Sequence, residues 1–436
     1  MRLSRILSGF FAALVFVVVG LFAWSWRPAI PPISAGAQSG ADMQAVRDLQ
    51  AVADMQAIRH GAGLAAIGNC NDCHQADSGK PYAGGRPIPT PFGTIFSSNI
   101  TPDKDTGIGS WSEEAFERAM REGVDRQGRQ LYPAFPYDHF TKATREDIHA
   151  LYAFLMSRPA VRNTIPANGL AFPFNIRPIV AGWKILFLRE TPLEPDSSQS
   201  AEWNRGRYLV EGLGHCGACH TPRNALGAEE KGRAYAGGAS AGWNAPALNG
   251  QSLAAHKWTV DQLTEYLSTG WQRLHGAAAG PMADVTTNLG RASQEDVRAI
   301  AVYVASLSPE SESASQPVAP RHGNQVTGAS DEVAAIYAGA CANCHNDRND
   351  VGPSKALSLS LSSAVRQSGS GNVVRVLLHG IQRQPGAVGA YMPAFDGMLT
   401  DRQIASVAEY VRARYTSQPQ WTDVQQEITK ARQGGN

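Results

Sequence analysis

All six cysteines of this 436-residue chain fall into three pentapeptides of one pattern, Cys-x-x-Cys-His: CNDCH (Cys70 to His74), CGACH (Cys216 to His220) and CANCH (Cys341 to His345). Two thiols at that spacing form thioether bonds to the vinyl groups of a haem, and the adjacent histidine reaches the iron as proximal ligand. A single match is compatible with a zinc or dithiol site. Three matches that use every cysteine point instead to three covalently bound haem c groups.

Iron held by one histidine has a second axial position, whose occupant decides between electron transfer and reaction with small molecules. Met282, in AGPMADV, and Met392, in AYMPAFDGM, lie 62 and 47 residues after His220 and His345, each shortly before a helix start. A lone methionine is usually core filler. Their matching place in a repeat makes these two the expected sixth ligands, with His275 and His256 as competitors for the second site and Met398 for the third. In the first repeat the corresponding stretch, LYPAFPYDHF, has Phe135 where the third has methionine, and phenylalanine cannot ligate iron. His139 follows four residues later. Its ligation would make the first haem bis-histidine and lower its potential relative to the other two; Met120, Met156 and an open site are the alternatives. The second ring nitrogen of each proximal histidine needs an acceptor. Pro353 is expected to offer its carbonyl in the third repeat, with Pro246 and Pro87 in the second and first. His215, beside Cys216, reads as a surface residue.

The elements that must position these groups recur with the motifs. Glycine stands two residues before each first cysteine (Gly68, Gly214, Gly339). Each repeat ends in an amphipathic helix opened by a hydroxyl with a carboxylate or amide three residues on: Thr144 and Asp147, Ser293 and Asp296, Thr400 and Gln403. Behind these caps run Ile148, Leu151 and Leu155, then Val297, Ile300 and Val304, then Ile404, Val407 and Val411, an i, i+3, i+7 stripe that packs a core. The repeated ADMQAVR and ADMQAIR lead into the first repeat as helix, Met43 and Met55 being packing residues. The fold class expected is mainly α, with three tandem cytochrome c-like domains at residues 55–160, 200–308 and 328–416 and a tail at 417–436. The linkers 161–199 and 309–327 contain the Pro- and Ser-rich TPLEPDSSQS and PESESASQPVAP. Within the first linker AFPFNIRPIVAGWKILFL is apolar but broken by Arg177, Pro178 and Lys184. That argues against a second membrane span and leaves inter-domain packing, a partner subunit or a membrane surface.

Residues 1–35 form the remaining segment. Between Arg5 and Arg27 stand 21 residues without a charge, enough for a helix of roughly 31 Å, about one hydrocarbon core. Arg2 and Arg5 would hold the short end in the cytoplasm, with Trp24 and Trp26 at the far interface. An uncleaved anchor is expected; cleavage near Ala35-Gly36-Ala37 as a signal peptide is the alternative. Either reading puts the haems outside the cytoplasm, in a bacterium the periplasmic face of the inner membrane. Lys+Arg 39 against Asp+Glu 38 leaves no basic excess for a nucleic acid.

The stretch YAGGRPIPTPFGTIFSSNITPDKDTGIGSW after the first motif, then LYPAFPY, GHCGACHTPRN and WNAPALNG, resembles the membrane-bound triple-haem cytochrome c subunits of bacterial periplasmic dehydrogenases over about residues 60 to 415. The resemblance implies a respiratory electron-transfer subunit. It would take electrons from a catalytic dehydrogenase large subunit, directly or through a small iron-sulfur subunit, and pass them to ubiquinone or a terminal oxidase, with no substrate catalysis of its own. It also implies Cys70, Cys73, His74, Cys216, Cys219, His220, Cys341, Cys344 and His345 as haem ligands, with Met282 and Met392 distal. Subunits serving quinoprotein alcohol or flavin gluconate dehydrogenases typically have methionine where this chain has Phe135. YPAFPYDHF looks more like those that accompany molybdenum hydroxylases acting on aldehydes or N-heteroaromatics. A catalytic haem peroxidase, using an open first iron, and a zinc-binding module are the other classes of reading.

Overall fold

The computed structural model describes residues 20, 25–33, 44–76, 79–254, 257–308, 326, 330–345, 358–382 and 391–434. Most of the expected anchor, and with it Met43, His256 and Pro353, lies outside them. The chain is mostly helical and divides into two compact units. One comprises residues up to Pro195 together with Glu211–His215; the other comprises Asp196–Val210 and Cys216 onward. The second and third repeats thus share a unit.

In the first unit helix α1 (Gln44–Ile67) leads into α2 (Cys70–His74). A hairpin of β1 (Pro87–Thr90) and β2 (Gly93–Phe96) follows, then α3 (Glu113–Glu122), α4 (Tyr137–Phe140) and α5 (Arg145–Met156). Strand β3 (Gly169–Leu170) adds antiparallel to β2, and α6 (Pro178–Phe187) closes the unit. Thr144 caps α5 by accepting from the Asp147 N–H at 3.1 Å, so the helix starts where the hydroxyl fixes it. Its apolar stripe, Ile148, Leu151 and Leu155, is buried with Leu64, Phe116, Met120 and Phe140. α1 crosses α5 at Gly61, where a Cβ would meet the Ala150 carbonyl oxygen at 1.9 Å, so any side chain would separate the helices. Beside the crossing His60 Nε2 sits 2.6 Å from Asp147 Oδ1.

The second unit repeats this design. α7 (Ala201–Glu211) crosses a later helix at Gly206, whose Cβ would lie 1.9 Å from the Ala299 carbonyl oxygen, and Arg205 binds Asp296 at 2.7 Å where the first unit has His60 and Asp147. Between them come α8 (Gly217–His220), the hairpin β4 (Gly238–Ser240) and β5 (Trp243–Ala245), and α9 (Val260–Thr269). The hairpin β6 (Trp271–Gln272) and β7 (Gly276–Ala277), α10 (Pro281–Leu289) and the crossed helix α11 (Gln294–Ser306) complete the second repeat. The third repeat is built on α12 (Asp331–Ile336), α13 (Ser363–Arg366), α14 (Gly371–His379) and α15 (Asp401–Tyr415). Ser293 caps α11 and Thr400 forms a full capping box on α15. Asn372 on α14 donates to the Asn244 carbonyl and accepts from the Asn244 N–H, both at 2.8 Å, tying the third repeat to hairpin β4–β5.

Residues 417–436, expected as a tail, are not one. Helix α16 (Val424–Arg432) buries Val424, Ile428 and Ala431 in the core that holds Val374, Ile404 and Val407, and Trp421 donates to the Gln367 carbonyl at 2.9 Å. Burial of three apolar residues at i, i+4 and i+7 drives this docking. Among the described residues no helix is long and apolar enough to cross a membrane.

Candidate haem sites

In the first two motifs the residue before the first cysteine occupies the left-handed region, Asn69 at φ 49° and His215 at φ 36°. That kink ends one turn and starts the next with the cysteine, and Cys70–His74 is a single helical turn, as is Gly217–His220. The histidine therefore follows its thiols on a fixed spacing. Its carbonyl and ring are both held by what comes next. YAGG recurs at 82–85 and 235–238, and the third residue of each copy donates its N–H back to the proximal histidine: Gly84 to the His74 carbonyl at 2.6 Å, Gly237 to the His220 carbonyl at 2.9 Å. These glycines have φ of 71° and 89°, and the tyrosines of the two copies, Tyr82 and Tyr235, also take positive φ, at 61° and 58°. The hairpin then returns a carbonyl to the ring. Ser98 accepts from His74 Nδ1 at 2.6 Å, and Pro246 accepts from His220 Nδ1 at 2.7 Å. Pro246 is thus the expected acceptor, whereas Pro87 is not: it opens β1, opposite Phe96, and the chain reaches the ring only two residues beyond β2.

Burial lowers the pKa of both imidazoles, opposed by these carbonyls, so each ring is neutral with Nδ1–H committed and the Nε2 lone pair left to bind metal. Burial pushes the Cys70 and Cys216 thiols up to about 12 and Cys341 to about 11, the neighbouring cysteine adding to each. The donor set fits haem c: Cys70, Cys73, Cys216 and Cys219 would carry the thioethers and His74 and His220 would take the irons.

The third motif is reached differently. There is no kink; α12 runs through a π turn, Tyr337–Cys341, into the motif. Two tyrosines replace the YAGG glycine. The hydroxyls of Tyr337 and Tyr415 both lie 2.8 Å from the His345 carbonyl and against each other, with the Arg414 guanidinium over both rings. Cys341 is buried and Cys344 exposed, and these with His345 make the third set.

The sequence reading missed a further repeat that sets the distal side. Helices α3, α9 and α14 each end on a glycine in positive φ, Gly123 (62°), Gly270 (72°) and Gly380 (70°). A tight antiparallel pairing follows: Val124 with Gln130, β6 with β7, and Ile381 with Met392. The three expected distal segments come directly off these turns. Gly380 supports Met392 closely, since a Cβ there would lie 2.4 Å from the Met392 carbonyl oxygen. Met282 is the second residue of α10, preceded by Gly280 at φ 55°, which packs against the Trp243 indole. Met392 is partly buried against the third core, whereas Met398 is 61% exposed. His275 stacks on Trp258 at 3.4 Å and meets Gln262. In the first repeat Phe135, Cys70 and Met156 are partly buried against the same core, in which Met120 is buried. His139 is 5% exposed, with Nδ1 2.8 Å from the Glu211 carbonyl. His215 is not the surface residue expected; it is partly buried, 3.3 Å from the Gly68 carbonyl, with its ring 5.6 Å from that of Phe140.

Residues 58–159 match the family model described as cytochrome c, and residues 328–411 the one described as cytochrome c oxidase, cbb3-type, subunit III. The gluconate 2-dehydrogenase cytochrome c subunit of Pantoea cypripedii is 37% identical over 387 residues, 82% of this chain and 85% of that protein. This chain belongs to the cytochrome c subunits of dehydrogenases. The fructose dehydrogenase cytochrome subunit of Gluconobacter japonicus is 37% identical over 386 residues, covering 82% and 79%. A nicotinate dehydrogenase subunit of Pseudomonas putida is 43% identical over 436 residues, 98% of this chain, which spans only 35% of that longer protein. Covalently bound haem c and an electron-transfer role come with the family.

Proposed function

We propose that this chain is a three-haem electron-transfer subunit serving a molybdenum-hydroxylase type dehydrogenase that acts on aldehydes or N-heteroaromatics. The observation that carries the partner assignment is the similarity to the nicotinate dehydrogenase subunit along 98% of the chain, together with phenylalanine rather than methionine in LYPAFPY. Each haem, when bound, supplies one reversible electron at its iron. The Ser98 and Pro246 carbonyls hold the His74 and His220 imidazoles, and the two tyrosines hold the main-chain carbonyl of His345, so little needs to rearrange when charge passes. Met282 and Met392 close the second and third sites, and His139 the first. What supports His139 is its burial and a ring whose Nδ1 is held by a carbonyl, which puts the lone pair on Nε2. Electrons leave to ubiquinone or a terminal oxidase, and a small iron-sulfur subunit is a further component of the complex. Residues 6–26 span the inner membrane and hold the haems on the periplasmic side.

A quinoprotein alcohol or flavin gluconate dehydrogenase is the second reading for the partner, favoured by the near full-length match to the gluconate 2-dehydrogenase subunit. Co-purification from native membranes, with the large subunit identified by mass, separates the two. A molybdenum-containing large subunit supports the first reading and a quinoprotein or flavoprotein overturns it. Low-temperature EPR with magnetic circular dichroism of the full chain reads the first site: three low-spin haems by EPR, one of them without a methionine-to-iron charge-transfer band in the dichroism, are expected, and a high-spin haem with fast peroxide turnover would favour an open iron.

A further inference from the structure

Helix α6 is amphipathic the wrong way round. Its inner face carries Val180, Ala181 and the charged Lys184, all buried, while Ile179, Ile185 and Leu186 on the opposite face are 43%, 50% and 57% exposed. The preceding loop adds Phe172, 79% exposed, and Phe174. A helix that met only water would be more stable with the ammonium outside and the leucine and isoleucines inside. Rotation is blocked, because Lys184 Nζ donates to the Glu122 and Gly123 carbonyls and to Gln130 Oε1 and lies over the Tyr137 ring at 4.8 Å. Its three N–H groups meet three acceptors, so the lysine acts as a peg that holds the apolar face outward.

Gln130 ties this face to the apolar run near the N-terminus. Its Nε2 donates to the Ser25 carbonyl at 2.9 Å, its Oε1 takes Lys184, and its main-chain carbonyl takes Arg177 Nη1 at 2.7 Å. Arg118 and Arg126 bind the carbonyls of Pro28 and Ile30, fixing the stretch beyond. Trp26, 80% exposed, stands beside the clasp. The 21 uncharged residues of 6–26 therefore end one residue past Ser25, which Gln130 links to α6. Cations flank the helix in sequence, Arg177 before it and Arg189 after it, and Arg27 follows the apolar run.

We propose that α6 lies flat in the headgroup region of a lipid bilayer, its Ile179, Ile185 and Leu186 face entering the acyl boundary. The inference rests on the reading of residues 6–26 as membrane-embedded, and continuity with that run selects lipid over the dehydrogenase as the occupant. A span plus an in-plane helix fixes the orientation of the first unit toward the membrane, which a single span with a flexible exit does not.

The test places a diazirine photo-crosslinking amino acid at position 186, and separately at exposed Leu226 in the second unit as control, in the full haem-loaded chain reconstituted in nanodiscs of phosphatidylethanolamine and phosphatidylglycerol. Phospholipid adducts at 186 but not at 226 are expected. No lipid adduct at 186, or an adduct to the dehydrogenase large subunit when that is present, overturns the proposal. The N-terminus of the purified chain is read in parallel. A start beyond Ala37 sinks the span reading alone, and lipid adducts at 186 would then still sustain the in-plane helix; a retained N-terminus without adducts sinks α6 alone.

Discussion

The first two motifs and the third solve one problem with different parts. In motifs one and two a left-handed residue, the YAGG turn and a hairpin hold the histidine by backbone groups alone: a glycine N–H on its carbonyl, and Ser98 or Pro246 on its ring. In motif three a π turn brings the chain in without a kink, and two tyrosine side chains 78 residues apart meet the His345 carbonyl. The backbone version is local and demands glycine; the tyrosine version is long-range and depends on packing of α12 against α15. The same pentapeptide is thus held by two scaffolds, each with its own point of failure.

The largest effect should come from breaking the backbone version at its tightest point. A Cβ on Gly84 would sit 2.3 Å from the Ser98 carbonyl oxygen, the group that orients His74, and φ is 71°. Gly84→Ala is expected to cost about 3 kcal/mol and to yield chains one haem short. Gly237→Ala, whose nearest contacts are at 3.2 Å, should cost only about 1 kcal/mol and keep its haem. Thermal unfolding with haem counting by mass checks both, and equal effects would break the claim that the first site is the tighter copy.

Next, Tyr337→Phe and Tyr415→Phe should each cost about 1 kcal/mol, because the carbonyl keeps one donor in either single variant, and the double variant should cost more than their sum. A redox titration resolved by haem should move one component and leave two in place. Movement of all three would show that the pair is not private to the third site.

The helix caps are a still smaller comparison. Thr144→Ala, Ser293→Ala and Thr400→Ala should each lose about 1 kcal/mol in urea titrations, Thr400 most because its capping box is reciprocal.

Smallest is a pH effect that sets the first unit against the second. Burial pulls Lys184 down to about 7 from its ordinary 10.5, whereas the buried guanidinium of Arg412, though lowered too, keeps its proton. The unfolded lysine holds its proton more tightly than the folded one. Its burial cost is therefore full below pH 7 and relieved as pH rises toward 10. Between pH 6.5 and 7.5 the first unit should gain less than about 1 kcal/mol while the second gains none from this source, read by hydrogen exchange in α6 and α15. A gain in α15 of the same size would remove the lysine as its cause.

How far the sequence carried depends on whether a feature is local. The motifs, the three capped helices and the apolar stripes were legible because they rest on contacts within a turn or two. Pro246 lies 26 residues after His220 and closes a short hairpin, whereas the longer hairpin after the first motif moved the acceptor from Pro87 to Ser98. The crossing glycines Gly61 and Gly206 were silent, because a glycine reveals nothing until the opposing Ala150 or Ala299 carbonyl is in place. The inverted face of α6 stood in the sequence as an apolar segment broken by charge, but only the acceptors around Lys184 show which side turns outward. The helix at the C-terminus was passed over since its stripe is short and outside the repeat.

The proposed function rests on each of the three motifs carrying its own covalent haem. Intact mass of the full chain, produced in a host with haem-attachment machinery and denatured before measurement, tests it most directly. The account predicts the polypeptide plus three haems, matched by three per chain in a pyridine haemochrome spectrum; a mass of polypeptide alone, or with fewer than three haems at full maturation, would contradict it.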